Sequence, residues 1–313
     1  MTEIRPIDPT DEPGLRAYVD IVNAVTPDSP TSLEDLRWAD ETYPGGAHFL
    51  AFRDGRPVGA ASAGRIYMYE AAFERYWFGS RVLPEARRQG IGTALWVATS
   101  AVARRAGKTG LQTDVSEAQA DGVAYLLHRG FEVFERSKQV RLDLRGLTPP
   151  AVDPPPGIIL TSLEARPDLE AGLHAVAVEA YADIPVADEP VTAGTLDEFL
   201  ARDIRRAGVP AGGLAIAVDE ASGEVAGWAS LLFAPGSETV AWHDMTAVRR
   251  AWRGRGVATA LKRATITWAI AHGLEALETS NDESNAPMRA VNAGLGYRPI
   301  PDLLTLRGPL APG

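Results

Sequence analysis

Apolar and polar positions follow two alternating rhythms along this chain, and their order occurs twice. Residues 13–25 and 167–181 have the pattern of helices near the start of each half. After each comes a pair of short apolar runs divided by a polar turn, FLAFRDGRPVGAASA from Phe49 and LAIAVDEASGEVAGWASLLF from Leu214. Asp54-Gly55 and Ser222-Gly223 stand between the runs, where a hairpin needs residues tolerant of tight backbone turns, so both segments are expected to be strand–turn–strand. A further strand should end at Val82 or Val248, followed by a helix to about Ala106 or His272. The strand GLQTDV or LEALETS, a short helix and a closing strand complete each half. The expected fold class is α+β, an α/β mixed sheet with helices on its faces, built twice.

The two halves also match residue by residue. Pairing Val82 with Val248, 166 positions apart, and sliding without gaps aligns Arg87 with Arg253, Gly90 with Gly256, Thr93 with Thr259 and Gly130 with Gly296. A constant offset of this kind indicates one supersecondary unit used twice. Between the halves, Thr148 to Gly157 holds five prolines in ten residues, which favours an extended spacer and excludes helix or central strand. The expected organisation is a domain at 1–147, a proline-rich linker at 148–157 and a second domain at 158–313.

Composition narrows the class of protein. The 313 residues are 45% hydrophobic and 23% charged, the balance of a soluble globular protein long enough for two cores. No uncharged apolar stretch is long enough to span a membrane, and the first residues lack the basic and apolar regions of a signal peptide, so a cytoplasmic location is expected. With no cysteine there is no disulfide, thiolate metal site or cysteine nucleophile, and the five histidines show no metal-ligand spacing. Net charge is −10, concentrated after residue 150; this argues against a nucleic-acid partner and suits a cationic one.

Between a strand end and a helix start, each half carries R-x-x-G-x-G/A. The copies are Arg87-Arg88-Gln89-Gly90-Ile91-Gly92 and Arg253-Gly254-Arg255-Gly256-Val257-Ala258. The first N–H groups of a helix lack intrahelical partners and the helix dipole adds positive charge there. Small residues let an anion approach that backbone, so the loop is expected to cradle a pyrophosphate. The G-K-[ST] ending of a Walker loop is absent, and the spacing is not that of a dinucleotide fingerprint.

In these loops, in the G-[FY] pairs at Gly130-Phe131 and Gly296-Tyr297, and in SNDESNAPMRAVNAGLGY from Ser280 to Tyr297, the chain resembles a tandem GNAT-superfamily N-acetyltransferase. The resemblance implies acetyl-CoA as donor, its pyrophosphate on residues 87–93 and 253–259, including Ile91, Gly92, Thr93, Val257, Ala258 and Thr259. It implies that the pantetheine arm pairs with backbone at Val82 and at Thr246, Ala247 and Val248, and that Asn285 contacts that arm. The acceptor would be a primary amine of a small molecule or peptide, and the chain a monomer with an internal pseudo-dimer in place of the common homodimer.

Amide formation needs a base to take a proton from the attacking amine. Strict alternation along the strand before Val248 puts Thr246, Asp244 and Trp242 on its face. Without gaps, the corresponding residues of the first half are Ser80, Phe78 and Tyr76, so the second half is expected to be catalytic, with Asp244 as base or water-positioning group. Glu278, opposite Gln112 in the repeat, is a second carboxylate candidate. The tyrosine that protonates the leaving thiolate in many family members usually stands four residues before the G-[FY] glycine. Here Leu126 and Asn292 stand there, and Tyr125 is one position away. The missing tyrosine leaves a non-catalytic acyl-CoA-binding module as the alternative.

Overall fold

The structure is a computed structural model that describes residues 2–27, 30–184, 191–233 and 237–313. In chain order the elements begin with β1 (Thr2–Pro6), α1 (Glu12–Val25), α2 (Leu33–Thr42), β2 (Ala47–Arg53), β3 (Arg56–Arg65) and β4 (Arg75–Val82). They continue with α3 (Ile91–Arg105), β5 (Gly110–Ser116), α4 (Ala120–Leu127) and β6 (Glu132–Asp143). The second pass runs β7 (Ile158–Ser162), α5 (Glu170–Tyr181), α6 (Leu196–Phe199), β8 (Ala215–Asp219), β9 (Val225–Phe233) and β10 (Val240–Val248). It ends with α7 (Val257–Ala271), β11 (Ala276–Asp282), α8 (Ala286–Gly294), β12 (Arg298–Pro299) and β13 (Leu303–Pro309).

Two compact units result, and their boundary is not the expected one. The first holds residues 1–136 together with 302–313; the second holds 137–301. The proline-rich segment 148–157 therefore lies inside the second unit, and the division at 1–147 and 158–313 is corrected. The cause is strand pairing. In the first unit β5 pairs antiparallel with β13, Gly110 opposite Pro309 through Ser116 opposite Leu303. In the second, β11 pairs with the latter half of β6, Ala276 opposite Asp143 through Asp282 opposite Ser137. Adding 166 to each partner in β6 gives its counterpart in β13, so the repeat extends through these strands, and each copy's last strand completes the other copy's unit.

Within each unit the sheet has one order. Strands β1 to β4 are antiparallel neighbours, and β4 runs parallel to β5; likewise β7 to β10 are antiparallel and β10 is parallel to β11. Alternation sends side chains to opposite faces. In the second unit Ile216, Val218 and Trp228 pack under Leu173 and Val176 of α5, while Ala215, Ala217 and Ala229 pack under Val257 and Leu261 of α7. In the first, Leu50 and Ala60 meet Leu15 and Ile21 of α1, whereas Phe49, Ala51 and Ala61 meet Ile91 and Leu95 of α3. Each of these large side chains stabilises the unit by about 1.5–3 kcal/mol on burial. Among the described residues no helix is long and apolar enough to cross a membrane.

Candidate acyl-transfer site

Both R-x-x-G-x-G/A loops form the expected turn. Gly90 and Gly256 cap α3 and α7 in the left-handed conformation, at φ 83° and 90°, and no side chain caps either helix. The first N–H groups of both helices are therefore free to take an anion. A Cβ at Gly90, Gly254 or Gly256 would meet nothing within 4 Å, so the approach to the turn is open. Position 88 also adopts positive φ, 61°, where the second copy has Gly254 at 72°; the first copy accepts backbone strain to hold an arginine there. The leading arginines also brace their loops. Arg87 Nε donates to the carbonyl of Val82 at 3.2 Å and Arg253 Nε to that of Val248 at 2.9 Å, bracing each loop against the strand it leaves. Arg253 also binds Asp183 at 2.7 Å. Arg255 lies over the Trp252 ring at 4.9 Å.

Beside each loop the sheet opens. β10 pairs with β11 only from Val240 to Trp242, and β4 with β5 only from Arg75 to Trp77. Beyond those rungs the strand edges at Asp244–Val248 and Phe78–Val82 have no ladder partner on that side among the described residues. Such an edge presents backbone N–H and C=O groups to an extended amide-containing ligand. Thr279 Oγ1 donates to the His243 carbonyl at 2.9 Å just where the second gap begins.

The two gaps differ by a bulge. β4 meets β3 in unbroken register from Tyr76 to Val82. On β10, His243 stands opposite Leu231 and Thr246 opposite Ala229, so Asp244 and Met245 together face Ser230. Met245 N–H reaches Ser230 Oγ at 3.4 Å. One inserted residue reverses the alternation. Asp244 therefore does not share the face of Val248, as strict alternation predicted. His243 does, bonded to Thr265 of α7 at 2.6 Å. Asp244 lies on the α5 face with Tyr181, Asp203 and Arg206, the charges that bear on its titration or it on theirs. The bulge also shifts the correspondence between copies: the neighbouring strands place Phe78 with His243, not with Asp244.

Asp244 is exposed along the strand, yet protein fills much of the volume around it. That desolvation raises its carboxyl above the usual range, Arg206 opposing and Asp203 adding to the rise. Asp203, on the π-helical turn Leu200–Ile204, is also raised by desolvation although Arg202 holds it at 2.9 and 3.0 Å. Tyr181 is a buried core residue, and burial drives its phenol well above its ordinary pKa.

The family model of the acetyltransferase (GNAT) family matches residues 16–131 and again 178–297. The chain belongs to the GNAT family. A search of curated proteins gave no match. Among solved structures, a tandem GNAT protein from the clavulanic acid biosynthesis pathway is similar over 100% of both chains, at 23% identity and a TM-score of 0.78. A GCN5-related N-acetyltransferase from Sphaerobacter thermophilus follows at 19% identity, covering 100% of this chain and 96% of that one, with a TM-score of 0.74. The glucosamine N-acetyltransferase region of a fungal multi-domain beta-N-acetylglucosaminidase matches 98% of this chain and 38% of its own, at 13% identity and a TM-score of 0.70. At these identities the structures show a shared tandem fold; membership of the family makes the chain an acyltransferase in general terms.

Within that GNAT frame the remaining candidates separate. Glu278 forms an ion pair with Arg141 of β6, which engages its carboxylate; the matching pair in the first unit is Gln112 with Arg307, at 2.8 Å. The fold thus gives Glu278 a structural partner. Asn285 caps α8, its Oδ1 accepting from Met288 N–H at 3.3 Å, which leaves the amide nitrogen for another partner. Tyr125 packs its ring 3.1 Å from where a Cβ on Gly92 would stand, beneath the Arg129 guanidinium at 3.6 Å. Sequence reading singled out neither Asp203 nor Lys262. For Lys262 a signal existed, since its gapless counterpart is Trp96.

Proposed function

We propose that the second unit moves an acetyl group from acetyl-CoA to a primary amine of a small molecule or peptide. The observation that carries this reading is the bulge at Asp244–Met245, which sets a carboxylate of raised pKa on one face beside an unpaired strand edge. The first unit has a regular β4 and the buried Phe78 in that region.

Residues of this chain divide the work. The uncapped N–H groups of Val257, Ala258 and Thr259, with the open turn at Gly254–Gly256, are arranged for a pyrophosphate. The free edge of Thr246, Ala247 and Val248 suits the amides of a pantetheine arm, and Asn285 Nδ2 stands at the start of α8 to bond it. Acetyl-CoA supplies a thioester carbonyl open to attack. Asp244 accepts the proton of the attacking amine, directly or through water, and a carboxyl raised above its usual range is the stronger base for that step. The acidic second half favours a cationic acceptor. The first unit keeps the loop at Val82 and Arg87–Thr93 and is read as a cofactor-binding scaffold without the base. A monomer in the cytoplasm fits a chain that carries both copies.

Release of thiol from acetyl-CoA in the presence of a panel of amines tests the proposal. Asp244→Asn is expected to lower kcat about 10²-fold or more with little change in coenzyme A affinity. Unchanged turnover in that variant rejects Asp244 as the base. A second reading, a non-catalytic acyl-CoA binder, is favoured by Asn292 and Leu126 standing where a tyrosine is usual. Binding of coenzyme A with no amine-stimulated thiol release would establish it.

A further inference from the structure

The two copies differ in chemistry at a matched set of core positions. In the first unit Phe78, Trp96, Leu126 and Phe131 form one apolar cluster with Val115, the Phe131 ring 6.0 Å from Phe78 and 6.4 Å from Trp96. Strand register and the 166-residue offset place His243, Lys262, Asn292, Tyr297 and Asn281 at those five positions of the second unit. The first four are at most 3% exposed. An apolar core has become a polar one.

Its hydrogen bonds have a fixed direction. Thr265 Oγ1 donates to the Lys262 carbonyl at 2.9 Å, so it accepts from His243 Nε2 at 2.6 Å. His243 Nδ1 then accepts the Tyr297 hydroxyl at 2.7 Å. Asn292 Nδ2 donates to Asn281 at 2.7 Å, and its Oδ1 is buried without a partner. The Lys262 ammonium faces the Tyr297 ring at 5.5 Å, and among the described residues no carboxylate offsets its desolvation. Desolvation lowers Lys262 to about 7 and, with Lys262 beside it, holds His243 well below its ordinary value. His243 and Tyr297 are the titratable groups facing Lys262 from β10 and from the segment after α8.

Such a cluster opposes folding, and the first unit shows that the fold accepts a hydrophobic replacement. The chain has three lysines, and one occupies this position. The cluster also lies against the gap: His243 is the last residue before the bulge, its carbonyl bonded across the opening by Thr279. Conflicts of this kind between burial and polarity concentrate at sites of chemistry.

We propose that Lys262 is a buried proton source for the sulfur that leaves as coenzyme A, with His243 and Tyr297 packed beside it and Asn292 lining the approach. The inference rests on the second unit being the acyl-transferring one. As the amine nitrogen bonds the acyl carbon, the C–S bond breaks and sulfur keeps the electron pair. The Lys262 ammonium balances that charge and yields its proton to sulfur; the amine's proton goes to Asp244 and then to solvent, which later reprotonates Lys262. In this scheme Lys262 is the general acid, and its charge also favours the thiolate form of the bound thiol.

Coenzyme A itself is the probe. Ultraviolet absorbance of the bound thiolate, followed against pH, reads the thiol pKa with no acceptor amine present. In the native chain the bound thiol is expected to ionise at lower pH than free coenzyme A. Lys262→Met should raise its pKa by about one unit or more, about tenfold less thiolate at a given pH, while affinity measured at low pH changes less than about threefold. Lys262→Arg should keep the thiol acidic. A Lys262→Met protein that binds coenzyme A normally and leaves the thiol pKa unmoved overturns the inference alone. Absence of coenzyme A binding to the native protein overturns the acyltransferase reading as well.

Discussion

Lys262 holds its proton to about pH 7 in the folded chain and to about pH 10 when unfolded, so it works against folding between those values. There the unfolded chain binds the proton and the folded chain does not, so stability falls as pH drops from about 10 toward 7 and then levels off. The full cost is about 4–5 kcal/mol. Lys262→Met should therefore raise the urea midpoint at neutral pH, with a gain that shrinks as pH approaches 10; an equal gain at every pH would assign the cost to packing. Asp183 behaves in the opposite sense. Arg250 and Arg253 lower its carboxyl to about 2, so its contribution is present at neutral pH and lost as pH falls from about 4 toward 2. The mismatch of Lys262 with Trp96 was visible in the sequence. Its burial was not, because α7 carries apolar residues on several sides and the inward face cannot be read from spacing alone.

Among the elements, strands, helices and turns were largely legible from periodicity and glycine placement: the hairpins, the loop at Gly90 and Gly256 and the two long helices lie where the pattern put them. The bulge on β10 was not. A bulge is a change of backbone pairing with no residue signature of its own, and a gapless comparison of the repeats passes over it. Asp244 thus came out as a plausible base on the wrong face, opposite Phe78, when Phe78 corresponds to His243. At α7 the helix terminus makes a prediction of its own. Gly256→Asp puts a carboxylate beside the free N–H groups, where it caps the helix and repels phosphate. Coenzyme A binding at the second unit should be lost, seen in calorimetry as one fewer site or none; undiminished binding there would remove the cradle from the argument.

For the whole molecule, family and duplication were readable, but the interlocking of the copies was not, since any boundary drawn at prolines 149–156 assumes that a chain segment packs with its sequence neighbours. Ending the chain at Pro301 removes β13 and with it Leu304 and Leu306, buried in the first unit's core. The loss is about 3–6 kcal/mol from those two side chains alone, in addition to the pairing with β5. The first unit should then lose amide protection in hydrogen exchange while the second keeps it; uniform protection would contradict the exchange of strands. Synthesis gives that exchange a further meaning. Thr305 hydrogen-bonds Asp114 from 191 residues downstream, whereas the second unit needs β6, made long before its other strands. On the ribosome the second unit can close as soon as residue 301 emerges, and the first, begun earlier, must wait for residue 309. The half translated first matures last, and until then β5 is an open edge that a neighbouring nascent chain could occupy.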